Sequence, residues 1–406
     1  MKILKLSSKE IQRLFERYYT NKRHIEEKVR RIIEDVRNDG DKAVLKYTRR
    51  FDRVKLAAKD LKVSANEING SFQNIDTAFI TSLKNIIENI QRYYKKELPR
   101  SWKIKHDNGA ELGEIFRPIE KVGIYVPAGT VPLVSSVYMS VVPAKMAGVK
   151  KIVIATPPNK YGSVDPHILA VANLLKVDEV YKVGGAQAIS ALAFGTKTIP
   201  KVDKIVGPGN EYVTEAKRQV FGFADIDMLA GPSEVVILAN QFSDKNYVVQ
   251  DLAAQAEHLK GLAVLVTTSK KFAKAMKNEN IKGYIILARN IDQAVEVINR
   301  IAPEHLEILI KNPNRILKKI QNAGAIFIGP YSPVCIGDYV AGPSHILPTG
   351  GTARFFSGLG VRSFMKSIHA ISYSKKALEN EKAAIEKMTK IEGLCKHLES
   401  FRARFK

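Results

Sequence analysis

A glutamate and a histidine stand side by side at Glu304-His305, within Arg300-Ile301-Ala302-Pro303-Glu304-His305-Leu306-Glu307-Ile308. Pro303 has a fixed φ and no backbone donor, so a helix should end just before it. The apolar run Leu306 to Ile310 that follows reads as a strand. A carboxylate and an imidazole held at such a junction could divide acid–base work between them. Two adjacent residues are no motif by themselves, and the bland alternative is a surface pair in a loop. Gln255 and His258 lie three apart on an expected helix and share a face, so both could reach one metal ion. Their alternative reading is a polar helix end. Asp338 and His345 fall in the Gly-, Pro- and Ser-rich stretch 329–364, which is too long for a casual connector. A carboxylate and a histidine there suit a metal or a substrate. Glu392 and His397 lie five apart near the end of the chain and need not face together unless Gly393 breaks the helix. His24, His106, His167 and His369 have no acidic or glutamine partner at ligand spacing and read as structural.

The elements that must position these residues come in two kinds. Residues 8–97 show apolar side chains at helical spacing, with Ser64 and Glu67 forming a helix-start signature. From about residue 113 strands and helices alternate. Strands are expected at 122–126, 151–155, 179–181 and 204–206, with helices over 165–175, 185–193 and 211–220. After Gly231-Pro232-Ser233 a second series places strands at 235–238, 263–266, 284–287, 306–310 and 325–328. Helices over 246–259, 270–278, 290–300 and 313–322 separate them. Two consecutive series of this kind imply an α/β fold with two doubly wound parallel sheets. Ligands in such sheets bind beyond the carboxyl ends of the strands. Residues 376–406 return to helix. Gly207-x-Gly209 follows a strand and opens a helix, but Tyr212 stands where a dinucleotide fingerprint has its third glycine. Asn210 could still cap that helix, and the helix N-terminus could meet a phosphate.

Composition narrows the classes. The chain has 406 residues, 45% hydrophobic and 26% charged, with two cysteines, Cys335 and Cys395. No apolar run is long enough to span a bilayer, and the first residues lack a signal-peptide core. A reducing cytoplasm is the expected location, with no membrane partner. The net charge is +23, of which +8 lies in residues 1–60 and +10 in residues 311–406. It sits in helical segments with both signs interspersed and without aromatic interleaving, so no dedicated nucleic-acid partner is expected.

Taken together, the motifs resemble the histidinol dehydrogenase family from about residue 113 to the end. They are Arg117-Pro-Ile-Glu-Lys-Val-Gly-Ile-Tyr125-Val-Pro, Val183-Gly-Gly-Ala-Gln187-Ala-Ile, Val206-Gly-Pro-Gly-Asn210, Val213-Thr-Glu-Ala-Lys-Arg-Gln and Ile226-Asp-Met-Leu-Ala-Gly-Pro-Ser233-Glu. Gln255-Ala-Glu-His258, Ala302-Pro-Glu-His305-Leu-Glu, Gly337-Asp338-Tyr and His345-Ile-Leu-Pro-Thr-Gly-Gly-Thr-Ala-Arg follow in order. The resemblance implies NAD-dependent oxidation of L-histidinol to L-histidine through an aldehyde, with one Zn2+ per subunit. It implies Gln255, His258, Asp338 and His397 as metal ligands and Glu304 and His305 as the acid–base pair. Ser233, His345 and Glu392 would meet the substrate together with Gln255, His258, His305, Asp338 and His397. Tyr125, Gln187 and Asn210 would meet NAD. The implied fold is two incomplete Rossmann-like parallel-sheet domains with small helical N- and C-terminal extensions. One domain joins 21–124 to 234–359 and the other spans 125–233. An extension combines 1–20 with 360–380, and a tail over 381–406 completes the site of a partner in a homodimer. Three positions depart from the family pattern: Ala128, Ser344 and Cys335 replace its usual glycine, asparagine and more acidic stretch.

Overall fold

The computed structural model describes residues 1–17, 22–128, 131–257 and 260–405. The chain divides into two units, one of Met1–Glu97 with Ile119–Phe364 and one of Leu98–Pro118 with Met365–Lys406. In chain order the strands are β1 (Lys2–Leu4), β2 (Trp102–Lys105), β3 (Glu111–Pro118), β4 (Lys121–Tyr125), β5 (Lys151–Thr156), β6 (Glu179–Lys182), β7 (Lys204–Val206), β8 (Asp225–Ile226), β9 (Glu234–Leu238), β10 (Leu262–Thr267), β11 (Tyr284–Leu287), β12 (His305–Ile308), β13 (Ala325–Ile328) and β14 (Met365–Ser372).

The first unit holds two wholly parallel sheets, ordered β1-β11-β10-β9-β12-β13 and β6-β5-β4-β7-β8. In each, the chain steps outward twice and then returns to the other side of its first strand, the doubly wound pattern expected from the alternation. Runs such as Val235-Val236-Ile237-Leu238 are apolar throughout because helices cover both faces. Side chains of the six-stranded sheet alternate between two cores. Val236, Leu238, Leu306 and Ile308 enter one, while Val235 and Ile237 enter the other with Val248 and Leu252 of the helix Lys245–Ala256. His305 and Glu307 pair in register with Val235 and Ile237, so they share that second face.

Helices Lys9–Phe15, Arg23–Asp39, Asp41–Phe51, Ala65–Gly70 and Thr77–Tyr94 occupy the N-terminal region. Ser64 and Glu67 form the expected reciprocal cap. Helix Val134–Ala147, which the sequence pattern does not isolate, is buried nearly all round and therefore shows no amphipathic stripe. The expected helix over 313–322 shortens to Asn314–Leu317.

The described parts of the segments 1–20 and 360–380, expected as a helical extension, also contain strands. Lys2–Leu4 pairs beside β11 in the six-stranded sheet. Met365–Ser372 forms an antiparallel sheet of the second unit with β3 and β2. Both pairings join residues more than 200 positions apart, so no local spacing signals them. The second unit continues with helices Lys375–Asn380, Lys382–Ile391 and Cys395–Arg402. Gly393, at φ 69°, interrupts the last two, which leaves Glu392 as a helix cap and His397 on the next helix. Among the described residues, no helix is long and apolar enough to cross a membrane.

Candidate active site

Helix Ile291–Ile301 ends as Pro303 requires, with Ala302 in the left-handed region at φ 48°. The next two residues enter the sheet at the amino end of β12. Glu304 and His305 are 5% and 4% exposed, which removes the surface-loop reading. The neighbouring strand clamps both. Glu234, first residue of β9, donates its backbone N–H to Glu304 Oε2 at 2.8 Å. His305 Nδ1 lies 2.9 Å from the Glu234 carbonyl oxygen. A carbonyl only accepts, so Nδ1 carries the proton and the neutral ring keeps its lone pair on Nε2. Nε2 lies 3.8 Å from Asp338 Oδ1. The arrangement fixes the tautomer a general base needs.

Glu234 is itself anchored. Its two carboxylate oxygens receive Arg17 Nε at 3.0 Å and Nη2 at 2.7 Å, and Gly350 N–H donates to Oε1 at 3.0 Å. The Arg17–Glu234 pair is largely buried. Sequence reasoning missed both partners. Glu234 adjoins the Gly231-Pro232-Ser233 turn that was singled out, but Arg17 lies 217 residues away and carries no local signal.

Asp338 and His345 arrive from the long glycine-rich stretch, which is less irregular than expected. Asp338 sits on a short helix, Val334–Tyr339. Gly337 allows that helix to approach the sheet, since a Cβ there would lie 2.7 Å from the Phe327 ring, which in turn packs 5.9 Å from the His305 ring. Asn89 and Tyr138 hold the end of the helix through the carbonyls of Val340 and Tyr339, at 3.1 and 3.3 Å. His345 Nδ1 donates to the Asp338 carbonyl at 3.1 Å, leaving Nε2 as the acceptor. The departing residue Ser344 is bound through its backbone N–H to the Tyr94 hydroxyl at 2.8 Å.

Gln255 lies in the last turn of the helix Lys245–Ala256. A crossover helix runs back from the carboxyl to the amino edge of its sheet, so Gln255 arrives at the edge that carries Glu304 and His305. It is buried, and its Nε2 has no hydrogen-bond partner. Asp251, one turn earlier on the same face, contacts the buried Glu307 carboxyl, which also accepts the Val334 N–H at 3.0 Å. Ser233 precedes Glu234 at the same edge. His258 lies outside the described residues. Glu392 and His397 belong to the second unit.

Burial sets the electrostatics. It raises Glu304 well above the usual carboxylate value; the Glu234 N–H opposes it, and the charges of Glu234 and Asp338 add to it. It also raises Asp338 to about 6 and Glu307, whose rise Asp251 reinforces. His345 is lowered to about 4, so its ring is neutral at pH 7. Carboxyl groups with raised affinity for protons thus gather at the edge that Gln255 reaches, and among the described residues Gln255 Nε2 has no partner. A divalent cation would offset that clustering, and the oxygen donors of Asp338 and Gln255 suit one.

A second polar cluster lies at the carboxyl edge of the five-stranded sheet. Tyr125 ends β4, and its hydroxyl accepts the Gly185 N–H at 3.1 Å. Gln187, in the first turn of the next helix, is fully buried with neither amide atom partnered. Asn210 caps the helix Glu211–Val220 through the N–H groups of Tyr212 and Val213. Gly207 has φ 116°, and a Cβ there would strike the Tyr125 carbonyl at 2.1 Å. The buried Lys217–Asp227 pair locks this turn from both sides, through the Gly207 carbonyl and N–H. Tyr125 and Asn210 thus lie at the carboxyl edge of the five-stranded sheet, whereas Glu304 and His305 lie at the amino edge of the other, at the helix-to-strand junction that Pro303 indicates.

The chain resembles known proteins along nearly its whole length. The family model described as histidinol dehydrogenase matches residues 15–405. A histidinol dehydrogenase of Listeria monocytogenes is 46% identical over 404 residues, covering 95% of this chain and 94% of that protein. One of Clostridium acetobutylicum is 46% identical over 417 residues, covering 98% and 96%. The crystal structure of histidinol dehydrogenase from Elizabethkingia anophelis superposes with a TM-score of 0.92 at 35% identity, covering 100% of this chain and 97% of that one.

Proposed function

The chain belongs to the histidinol dehydrogenase family, and on that premise we propose that it oxidises L-histidinol to L-histidine through L-histidinal, with two NAD reduced and one zinc ion per subunit. The observation that carries this reading is the double clamp on Glu304 and His305 by the Glu234 backbone, which presents a neutral Nε2 beside Asp338.

Gln255, His258 and Asp338, with His397 of a second copy in a homodimer, would hold the zinc. Zinc would supply a fixed template for the imidazole and amine of the substrate, orienting the carbinol carbon toward the nicotinamide. Ser233, His345 and Glu392 would complete the substrate contacts, with the neutral His345 Nε2 accepting a donor. Tyr125, Gln187 and Asn210 would hold NAD; the two unpartnered amide atoms of Gln187 suit a ligand with both donors and acceptors.

In the first step His305 Nε2 takes the hydroxyl proton as hydride leaves the same carbon for NAD. The aldehyde must then gain water. Glu304 keeps Oε2 on the Glu234 N–H, which leaves Oε1 to take the proton of that water once the carboxyl is ionised, while His305 returns its proton to the aldehyde oxygen, so that the neutral diol forms and Nε2 is free for the next step. Oxidation of the resulting diol repeats the first step, with His305 again accepting the proton and a second NAD the hydride. Burial of both residues limits competing hydrolysis and escape of the aldehyde.

The test is NADH formation from L-histidinol with and without a chelator. Two NADH per substrate, lost on chelation and regained with Zn2+, are expected. No NADH from L-histidinol would overturn the reading. The same chemistry suits a cytoplasmic biosynthetic enzyme.

A further inference from the structure

One half-buried carboxylate, Asp52, takes no part in the chemistry above. Asp52 ends the helix Asp41–Phe51, where its backbone N–H caps the Thr48 carbonyl. Arg53 follows at φ 59°, a left-handed backbone that turns the chain sharply. The turn lays Val54 and Leu56 against Gly162, in the loop beyond β5. Asp52 is thereby held at the carboxyl edge of the five-stranded sheet, close enough for its charge to act on the Tyr125 hydroxyl. Tyr125 bonds Gly185, and Gly185 lies against the Gln187 amide. Among the described residues Asp52 Oδ2 has no hydrogen-bond partner, and neither has either amide atom of Gln187. Unmatched polar groups near a switch point are suited to meet a polar ligand.

We infer that Asp52 binds a ribose diol of the dinucleotide and so favours NAD over a phosphorylated analogue. This rests on the NAD reading of the Tyr125, Gln187 and Asn210 cluster. Two neighbouring hydroxyls are paired donors, and a carboxylate accepts both, which is how an acidic residue serves other dinucleotide folds. A 2′-phosphate on the adenosine ribose would meet Asp52 as like charge in a dry place. Burial raises Asp52 to about 6, the behaviour of an acid with no donor yet in reach.

The experiment compares wild type with Asp52→Asn and Asp52→Ala. It reads KM for NAD and NADP with L-histidinol, inhibition by ADP-ribose and by nicotinamide mononucleotide, and the melting temperature. Both variants should raise KM for NAD by about tenfold or more, while kcat at saturating NAD stays within about twofold. Contact with the adenosine ribose weakens ADP-ribose and relaxes rejection of NADP. That pattern supports the inference. Weakening of nicotinamide mononucleotide with NADP rejection unchanged would place Asp52 on the nicotinamide ribose and overturn the preference for NAD. Because the side chain is unpartnered without ligand, Asp52→Asn should melt no lower than wild type, whereas a purely structural role predicts a lower melting temperature with KM unchanged. Unchanged KM in both variants overturns the assignment and leaves the NAD reading standing. A wild type that reduces no NAD overturns both.

Discussion

Replacing Arg17 with methionine should damage stability and catalysis together, although Arg17 touches neither substrate nor cofactor. Its guanidinium spans both oxygens of Glu234 at 3.0 and 2.7 Å and also donates to the carbonyls of Leu14 and Ile301 at 2.6 and 3.2 Å. The pair is 15% and 4% exposed, so solvent screens it little. Removing one partner of such a pair costs about 3–5 kcal/mol, because the other charge stays buried without compensation. Only the Gly350 N–H would remain on Glu234 among the bonds described here. The Glu234 backbone fixes both Glu304 and His305, and a misplacement of about 1 Å at a reacting group costs about 10²-fold in rate. The assay is the urea midpoint at unchanged slope and fixed protein concentration, together with kcat. Arg17→Met combined with Glu234→Gln should recover roughly 2 kcal/mol or more, since glutamine still accepts from Gly350 and strands no charge. A single-variant loss below about 1 kcal/mol, the range of exposed pairs, would refute the reasoning. So would a double variant no more stable than the single.

Two further outcomes test the division of labour. Glu304→Gln should keep the first hydride transfer, seen as a burst of about one NADH per site, but slow oxidation of added L-histidinal by about 10²-fold or more. Because burial raises the Glu304 carboxyl, its base form fills in only as pH climbs above the ordinary carboxylate range, so the wild-type second step should gain with pH there and the glutamine variant should lose that limb. His305→Asn and His397→Asn should each be inactive, the former with its zinc retained, and mixing the two with subunit exchange should restore some activity; no recovery would place all the groups within one chain.

Much of this was legible in the sequence, for a physical reason. Strands covered on both faces are apolar throughout and short, so their runs stand out between Gly- and Pro-marked turns, and the nine strands expected in the two series appear within a few residues of their predicted bounds. Pro303 placed the end of helix Ile291–Ile301, and Asn210 the start of helix Glu211–Val220. What escaped was non-local. β1 pairs with β11, and β14 with β3, across long separations, and Arg17 reaches Glu234 from a helix end whose sequence says nothing of it. Helix Val134–Ala147 escaped for the opposite reason, since burial on all sides erases the periodicity that reveals a helix.

The two candidate clusters lie at opposite edges of their sheets. A doubly wound sheet presents its helix N-termini and open turns at the carboxyl edge, and Tyr125, Gln187 and Asn210 gather there as that rule requires. Glu304 and His305 instead enter β12 at its amino end, where backbone pairing with β9 makes a rigid seat that a loop could not. Hydride transfer needs both clusters on one substrate carbon, so something must tie the carboxyl edge of one sheet to the amino edge of the other. Helix Val134–Ala147 follows Tyr125 in the chain, and its Tyr138 hydroxyl binds the Tyr339 carbonyl, next to Asp338. On the proposed reading that largely buried helix would act as a spacer between the two clusters, because a helix packed on most sides can hold a distance that one free on a face could not.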